Sequence, residues 1–196
     1  MPTDLAFSCK CGALGGTLHD VAPGQQTHLV CYCRDCRSFA RHLGVDDQLE
    51  PGGGVPLIQT LPSRLEITRG LEHLACLRLS KKGLHRWYAS CCNTPLANTL
   101  SSPKFPFVGL WRPLFEDISD FGPVQARGFT KLAEPGPGAP TKDMGLLTML
   151  GGFLRRVVQS YLSGTARKTP FFDADGAPVV VPHVLSAEEF RAAQGR

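Results

Sequence analysis

Cys31-Tyr32-Cys33-Arg34-Asp35-Cys36 is the stretch from which the fold and the chemistry are read. On a strand, residues i and i+2 face one side, so Cys31 and Cys33 can aim two sulfurs at one point. Cys36 follows at knuckle spacing, where a turn of the chain returns a third sulfur to the same centre. Outward from this stretch, Cys9 and Cys11 repeat the alternate spacing, Cys91 and Cys92 are adjacent, and Cys76 stands alone. Seven of the eight cysteines thus lie in three short clusters, unlike small apolar residues spread through a core. The first eight residues carry Asp4 and no Lys or Arg, so they do not resemble a secretory leader. A cytoplasmic, reducing setting is therefore expected, in which clustered cysteines are metal ligands or catalytic thiols.

Thiolates are soft ligands that select zinc, copper(I) or iron–sulfur clusters, and zinc is the expected ion at such short spacings. Closed structural zinc sites use four protein ligands, whereas catalytic sites keep one position open. Cys31, Cys33 and Cys36 supply three, which points to an open site. His28 and His42 are the neighbours that would close it. Cys9 and Cys11 need partners from elsewhere, and Cys92, in a later turn, is the candidate. Zinc on three thiolates keeps a formal charge of −1, so it acidifies water weakly and suits the exchange of a fourth thiolate. The expected ligand is an external thiol. Two loaded sites would bring the formal net charge of +4 to about +1.

The chain has 196 residues, enough for one domain with a sizeable core. At 42% hydrophobic and 19% charged it is globular in composition. Its 21 Gly and 16 Pro argue for many turns and against a helix bundle. The weak basicity does not point to nucleic acid. No apolar run reaches the roughly 18 residues of a membrane span. The nearest run, 144–154, stops at Arg155 and Arg156. Neither a nucleic-acid nor a membrane partner is expected.

Short β-prone stretches at 7–11, 27–33, 57–60, 64–68, 71–79, 85–90, 96–100, 105–110 and 121–129 predict a mainly β protein. Residues 34–43 read as one helical turn or a loop, and 179–181 as a short strand. Residues 143–162 predict an amphipathic helix. Its stripe of Leu147, Leu150, Leu154, Val157, Val158 and Tyr161 is expected to dock on the core. Ser186 with Glu189 has capping-box spacing and predicts a final short helix. The Pro/Gly segment 134–140 reads as a linker. This divides the chain into a zinc-binding β domain (1–133), the linker, and a C-terminal extension (141–196). Cys76, Trp87 and Trp111 read as core, Tyr32 as a packing residue and Asp35 as a turn former.

Three segments together resemble a known family: Phe7-Ser8-Cys9-Lys10-Cys11-Gly12, then Cys31 through Arg37, then Cys92-Asn93-Thr94-Pro95-Leu96. They are similar to the glutathione-dependent formaldehyde-activating enzymes, a family that includes centromere-protein-V-like proteins. The resemblance spans residues 7–111. It implies several small coiled antiparallel β-sheets organised around two zinc sites, with a C-terminal helix added in this chain. It assigns a catalytic zinc to Cys31, Cys33 and Cys36. A structural zinc would fall to Cys9, Cys11 and Cys92, with Cys91 as a substitute ligand. The implied activity joins formaldehyde to glutathione, a carbon–sulfur lyase reaction run in reverse, and the implied partner is a small thiol. Arg34, Arg37 and Arg41, nearest in sequence, would hold the two carboxylates of glutathione.

The chain departs from the family pattern in its last motif. Ala89 stands where that motif has its first cysteine, Asn93 replaces a glycine, and Cys91 is extra. Adjacent residues of an extended strand point oppositely, so Cys91 and Cys92 reach one metal only across a bend. Two other functions compete with the enzyme. One is a non-catalytic zinc module that uses the 143–162 helix or the linker to bind a partner. The other is a thiol redox protein using Cys33 and Cys36.

Overall fold

Frequent turns cut the chain into short strands. A computed structural model describes residues 1–195. Its strands are β1 (Thr3–Ser8), β2 (Gly15–Val21), β3 (Thr27–Cys31), β4 (Val55–Thr60), β5 (Leu65–Arg69), β6 (Leu74–Arg78), β7 (His85–Ala89), β8 (Thr94–Thr99), β9 (Val108–Trp111), β10 (Ala126–Gly128) and β11 (His183–Val184). The helices are α1 (Arg34–His42), α2 (Leu146–Leu162) and α3 (Ala187–Ala193). The protein is mainly β, with two sheets and a C-terminal helix.

The smaller sheet has three antiparallel strands in the order β1-β2-β5. Gly16 is required there, because a Cβ at that position would strike the Glu66 carbonyl on β5. The larger sheet has eight strands in the order β10-β3-β4-β9-β8-β7-β6-β11. Both its edges are parallel pairings, β10 on β3 and β11 on β6. This corrects the expectation of several small antiparallel sheets. Parallel partners need long return connections, and these edges are reached by the 112–125 and 163–182 segments. Only 126–128 of the expected 121–129 strand forms, and the late strand lies at His183–Val184 instead of 179–181.

The core runs along the large sheet. Trp87 is fully buried, stacks on Phe171 with ring centroids 4.8 Å apart, and donates from Nε1 to Thr99 Oγ1 at 2.9 Å. Trp111 and Cys76 are buried too, and burial pushes the Cys76 thiol up to about 12, which makes it inert. The capping box at Ser186 and Glu189 is formed and starts α3. Among the described residues, no helix is long and apolar enough to cross a membrane.

α2 lies over the large sheet with an unexpected face down. Phe153, Arg156, Val157 and Ser160 are buried, a set at i, i+3, i+4 and i+7. Of the predicted stripe only Val157 is inside. Leu147 is 86% exposed, and Leu150, Leu154, Val158 and Tyr161 are about half exposed. The cause is Arg156, which is 1% exposed. Its guanidinium donates to Gln59 Oε1 at 2.8 Å, Thr27 Oγ1 at 3.1 Å and the Gly24 carbonyl at 3.3 Å. Apolar periodicity places the oily stripe inward, but a polar anchor on the other face rolls the helix.

Candidate metal centres

The first cysteine group is built from two turns. Past the end of β1 the chain folds back on itself, with Cys9 N–H donating to the Leu14 carbonyl at 2.9 Å and Gly12 N–H to the Cys9 carbonyl at 2.9 Å. The second turn joins β7 to β8. Asn93 holds it in the left-handed region at φ 54°, which Asn tolerates better than most residues. Lys10 N–H donates to Thr94 Oγ1 at 3.0 Å and staples the two turns together. The bend lets Cys91 and Cys92 point the same way. Cys9, Cys11, Cys91 and Cys92 have sulfurs all within 4.8 Å of one another.

The sulfur–sulfur separations are 3.6 Å for Cys9–Cys11, 3.8 Å for Cys9–Cys91, 3.4 Å for Cys11–Cys91 and 3.8 Å for Cys91–Cys92. Four sulfurs about 2.3 Å from a tetrahedral zinc lie about 3.8 Å apart. The group fits that ion and is far from the disulfide length of about 2.05 Å. Ala89, fully buried on β7, takes no part. Against the upward push of burial, hydrogen bonds from Thr94, Cys11 and Cys9 bring the Cys92 thiol down to about 6. Since β1 is in the small sheet and β7 and β8 in the large one, a metal here would tie the two sheets together.

The second group is Cys31, Cys33 and Cys36, again with sulfurs within 4.8 Å. Cys31 ends β3, and Cys33 is the N-cap of α1, its Sγ accepting from Cys36 N–H at 3.4 Å. The nine residues of α1 exceed the single turn or loop expected there. Its N-terminus turns positive partial charge toward the sulfurs. Hydrogen bonds from Cys31 and Cys33 hold the fully buried Cys36 thiol well below its usual range, with the Arg86 guanidinium adding to the effect. Cys31 is driven far up by its bonds to Cys33 and Cys36 and by burial. Cys33, lowered by Cys31 but raised more by Cys36 and burial, ends near 11.

Among the described residues, no fourth Cys, His, Asp or Glu joins the trio. His28 sits on β3 at odd spacing from Cys31 and so faces the other side of the sheet, with Nδ1 bonded to the Gly122 carbonyl at 2.9 Å. His42, at the far end of α1, is also absent from the group. The three sulfurs open instead onto a cavity of about 350 Å³. Its floor crosses five adjacent strands, and α2 forms a wall with Met149, Leu150 and Phe153. Strand register lines up Gln59, Gly109, Asn98 and Arg86 in one row on that floor. The glycine leaves the middle of the row without a side chain.

Arg86 is the cation at this site. It is 2% exposed, donates from Nη1 to Asn98 Oδ1 at 3.0 Å, and approaches Cys36 Sγ at 3.9 Å. The Asp35 carboxylate is 4.0 Å away and well exposed, and the Phe39 ring centroid is 5.5 Å from the guanidinium. Arg86 Nε has no partner. A buried cation with so little compensation calls for an anionic neighbour, and a divalent metal on three thiolates carries −1. The trio therefore fits a metal on charge as well as on donor set.

Arg34, Arg37 and Arg41 are not brought to this cavity. They line a separate one of about 140 Å³ with Ser38, Glu134 and Gln194. Arg41 pairs with Glu134 at 2.6 Å, and the buried Arg37 donates to the Leu132 carbonyl at 3.0 Å. They follow Cys33 on α1, whose turns carry them away from the sulfurs. The sequence does not point to Arg86, which lies 50 positions beyond Cys36. Its only signal is a charged residue beside Trp87 in a β-prone run.

No curated protein matches the chain. A structural-genomics crystal structure of a Rhodobacter sphaeroides protein is similar at 21% identity over 61% of this chain and 97% of that one, with a TM-score of 0.43. The model of a family of unknown function, DUF6151, matches residues 1–181, and the chain belongs to that family.

Proposed function

We propose that this chain is a zinc-dependent enzyme that joins a small thiol to an aldehyde, a carbon–sulfur lyase reaction run in reverse, with a second zinc as a structural tie. The observation that carries the reading is the buried Arg86 guanidinium set against three sulfurs that open onto an apolar cavity. The resemblance of the three cysteine motifs to the formaldehyde-activating enzymes supports it, with glutathione as the family's thiol. Cys31, Cys33 and Cys36 would hold the catalytic ion, and Cys9, Cys11, Cys91 and Cys92 the structural one. When bound, the catalytic zinc would supply a vacant position at which a thiol is held as its thiolate near neutral pH.

The chain's own residues do the rest. Arg86 balances the negative charge of the sulfurs and fixes Asn98 through its Oδ1, which leaves the Asn98 amide N–H to face a ligand. As the carbon–sulfur bond forms, the carbonyl π pair moves onto oxygen. Donors already in place stabilise that oxygen until it takes a proton from water. Met149, Leu150 and Phe153 of α2 give the cavity an apolar wall beside the sulfurs. The reading suits a reducing, cytoplasmic compartment, where all eight cysteines stay free.

The test is spectroscopic. With cobalt in place of zinc, glutathione or 2-mercaptoethanol is expected to change the bands of one of the two metals and leave the other unchanged. Arg86→Met should weaken metal retention at the trio or turnover about 10- to 100-fold, as loss of a group supporting the ligands does. Spectra that no thiol alters would contradict the proposal.

A further inference from the structure

The chemistry of the cavity walls narrows the substrate class, on the reading that the trio takes an external thiol. Leu29 and Leu57 rise from the floor, Phe107 and Phe129 stand at its sides, and Met149 and Phe153 close it from α2. The polar groups among them are few and largely engaged. Gln59 is held by Arg156, Asn98 Oδ1 by Arg86, and Arg86 faces Cys36. The arginines nearest in sequence line a different cavity. A peptide thiol brings two carboxylates and an ammonium, which would lose water here and find no partners of opposite charge beyond Arg86 and Asp35.

Phe129 adds an independent observation. Its φ is 63°, and among the described residues it is the one residue besides glycine, Asn and Asp in the left-handed region. A bulky side chain pays a steric cost there. The conformation is imposed from both flanks, by Tyr32 N–H on the Gly128 carbonyl at 2.9 Å and by Thr130 N–H on Asp143 Oδ1 at 2.8 Å. The strain sets an aromatic ring, 59% exposed, at the rim of an apolar cavity.

We propose that this cavity selects a thiol with an aliphatic or aromatic body over a peptide thiol such as glutathione, with Phe129 and the α2 wall gripping that body. On binding, the thiol would lose its S–H proton to solvent and be held as its thiolate beside Cys31, Cys33 and Cys36. Nothing is oxidised or reduced.

The experiment is calorimetric titration of the zinc-loaded full chain with straight-chain thiols from ethanethiol to hexanethiol, and with glutathione. The expected affinity rises about fourfold per methylene, the factor for burying a CH₂ group. Hexanethiol should bind at least tenfold tighter than glutathione, with a heat-capacity change that grows more negative along the series. Phe129→Gly removes both the ring and the strain. It should weaken hexanethiol several-fold, leave ethanethiol nearly unchanged, and not lower the melting temperature. Gly109→Val supplies a second variant. A Cβ there meets only Leu57 and Phe107, at 3.8 and 3.9 Å, so the fold should tolerate it while the added methyls occupy the floor and flatten the series. Equal affinity for every chain length, with glutathione as tight as hexanethiol, would overturn apolar selection and leave the thiol reading standing. If no thiol bound the loaded protein, both would fall.

Discussion

Cys11→Ser is expected to cost the protein a metal and most of its stability. Cys11 is exposed and packs against no core, so the substitution removes a ligand and little else. The remaining sulfurs, Cys9, Cys91 and Cys92, sit on turns that belong to different sheets, and a metal held there would tie those sheets beyond the core they share. Structural zinc sites contribute about 10–16 kcal/mol of binding free energy in small domains. A whole domain is stable by only about 5–15 kcal/mol. Losing a substantial part of the first should leave the variant largely unfolded near 37 °C. Thermal melts paired with metal counting check this. A variant that keeps both metals, or loses one and melts like the parent, would show that the group is not a structural tie.

Cys33→Ser is the expected opposite. Cys33 caps α1 by accepting the Cys36 N–H, and serine is among the preferred residues at that position. The helix should start where it does now, and stability apart from bound metal should shift by no more than about 1 kcal/mol. The trio, however, drops to two sulfurs and should release its ion. Thiol binding is expected to fall at least a hundredfold while the far-ultraviolet spectrum is unchanged. Calorimetry and circular dichroism on one sample measure both. Undiminished thiol affinity would remove the trio from the thiol site.

The contrast between these variants reflects what the sequence could show. The cysteine spacings are local, so two residues on a strand and one at a knuckle suffice to predict that Cys31, Cys33 and Cys36 converge. Cys9 and Cys11 do converge, but not on the strand expected over 7–11: β1 ends at Ser8 and a turn carries both sulfurs. Cys91 is harder, since its use depends on a bend that Asn93 permits through its positive φ. The floor of the cavity was not legible. Gln59, Gly109, Asn98 and Arg86 come from four strands, and only the register of β4, β9, β8 and β7 lines them up. The parallel edges β10 and β11 are not legible either, because each pairs with a strand far away in sequence. The roll of α2 is hidden because Arg156 reads as a solvent-facing charge until Gln59 and Thr27 are placed beneath it. Sequence proximity likewise favoured Arg34, Arg37 and Arg41, whereas strand register delivers Arg86.

Zinc-edge X-ray absorption on the metal-loaded protein, before and after addition of a thiol, measures both centres at once. Four sulfurs at one site and three at the other predict two metals per chain with an average of three and a half sulfur neighbours, at about 2.3 Å, rising toward four as thiol is added. A single metal per chain, or a sulfur count that thiol leaves unchanged, would contradict an open centre at Cys31, Cys33 and Cys36.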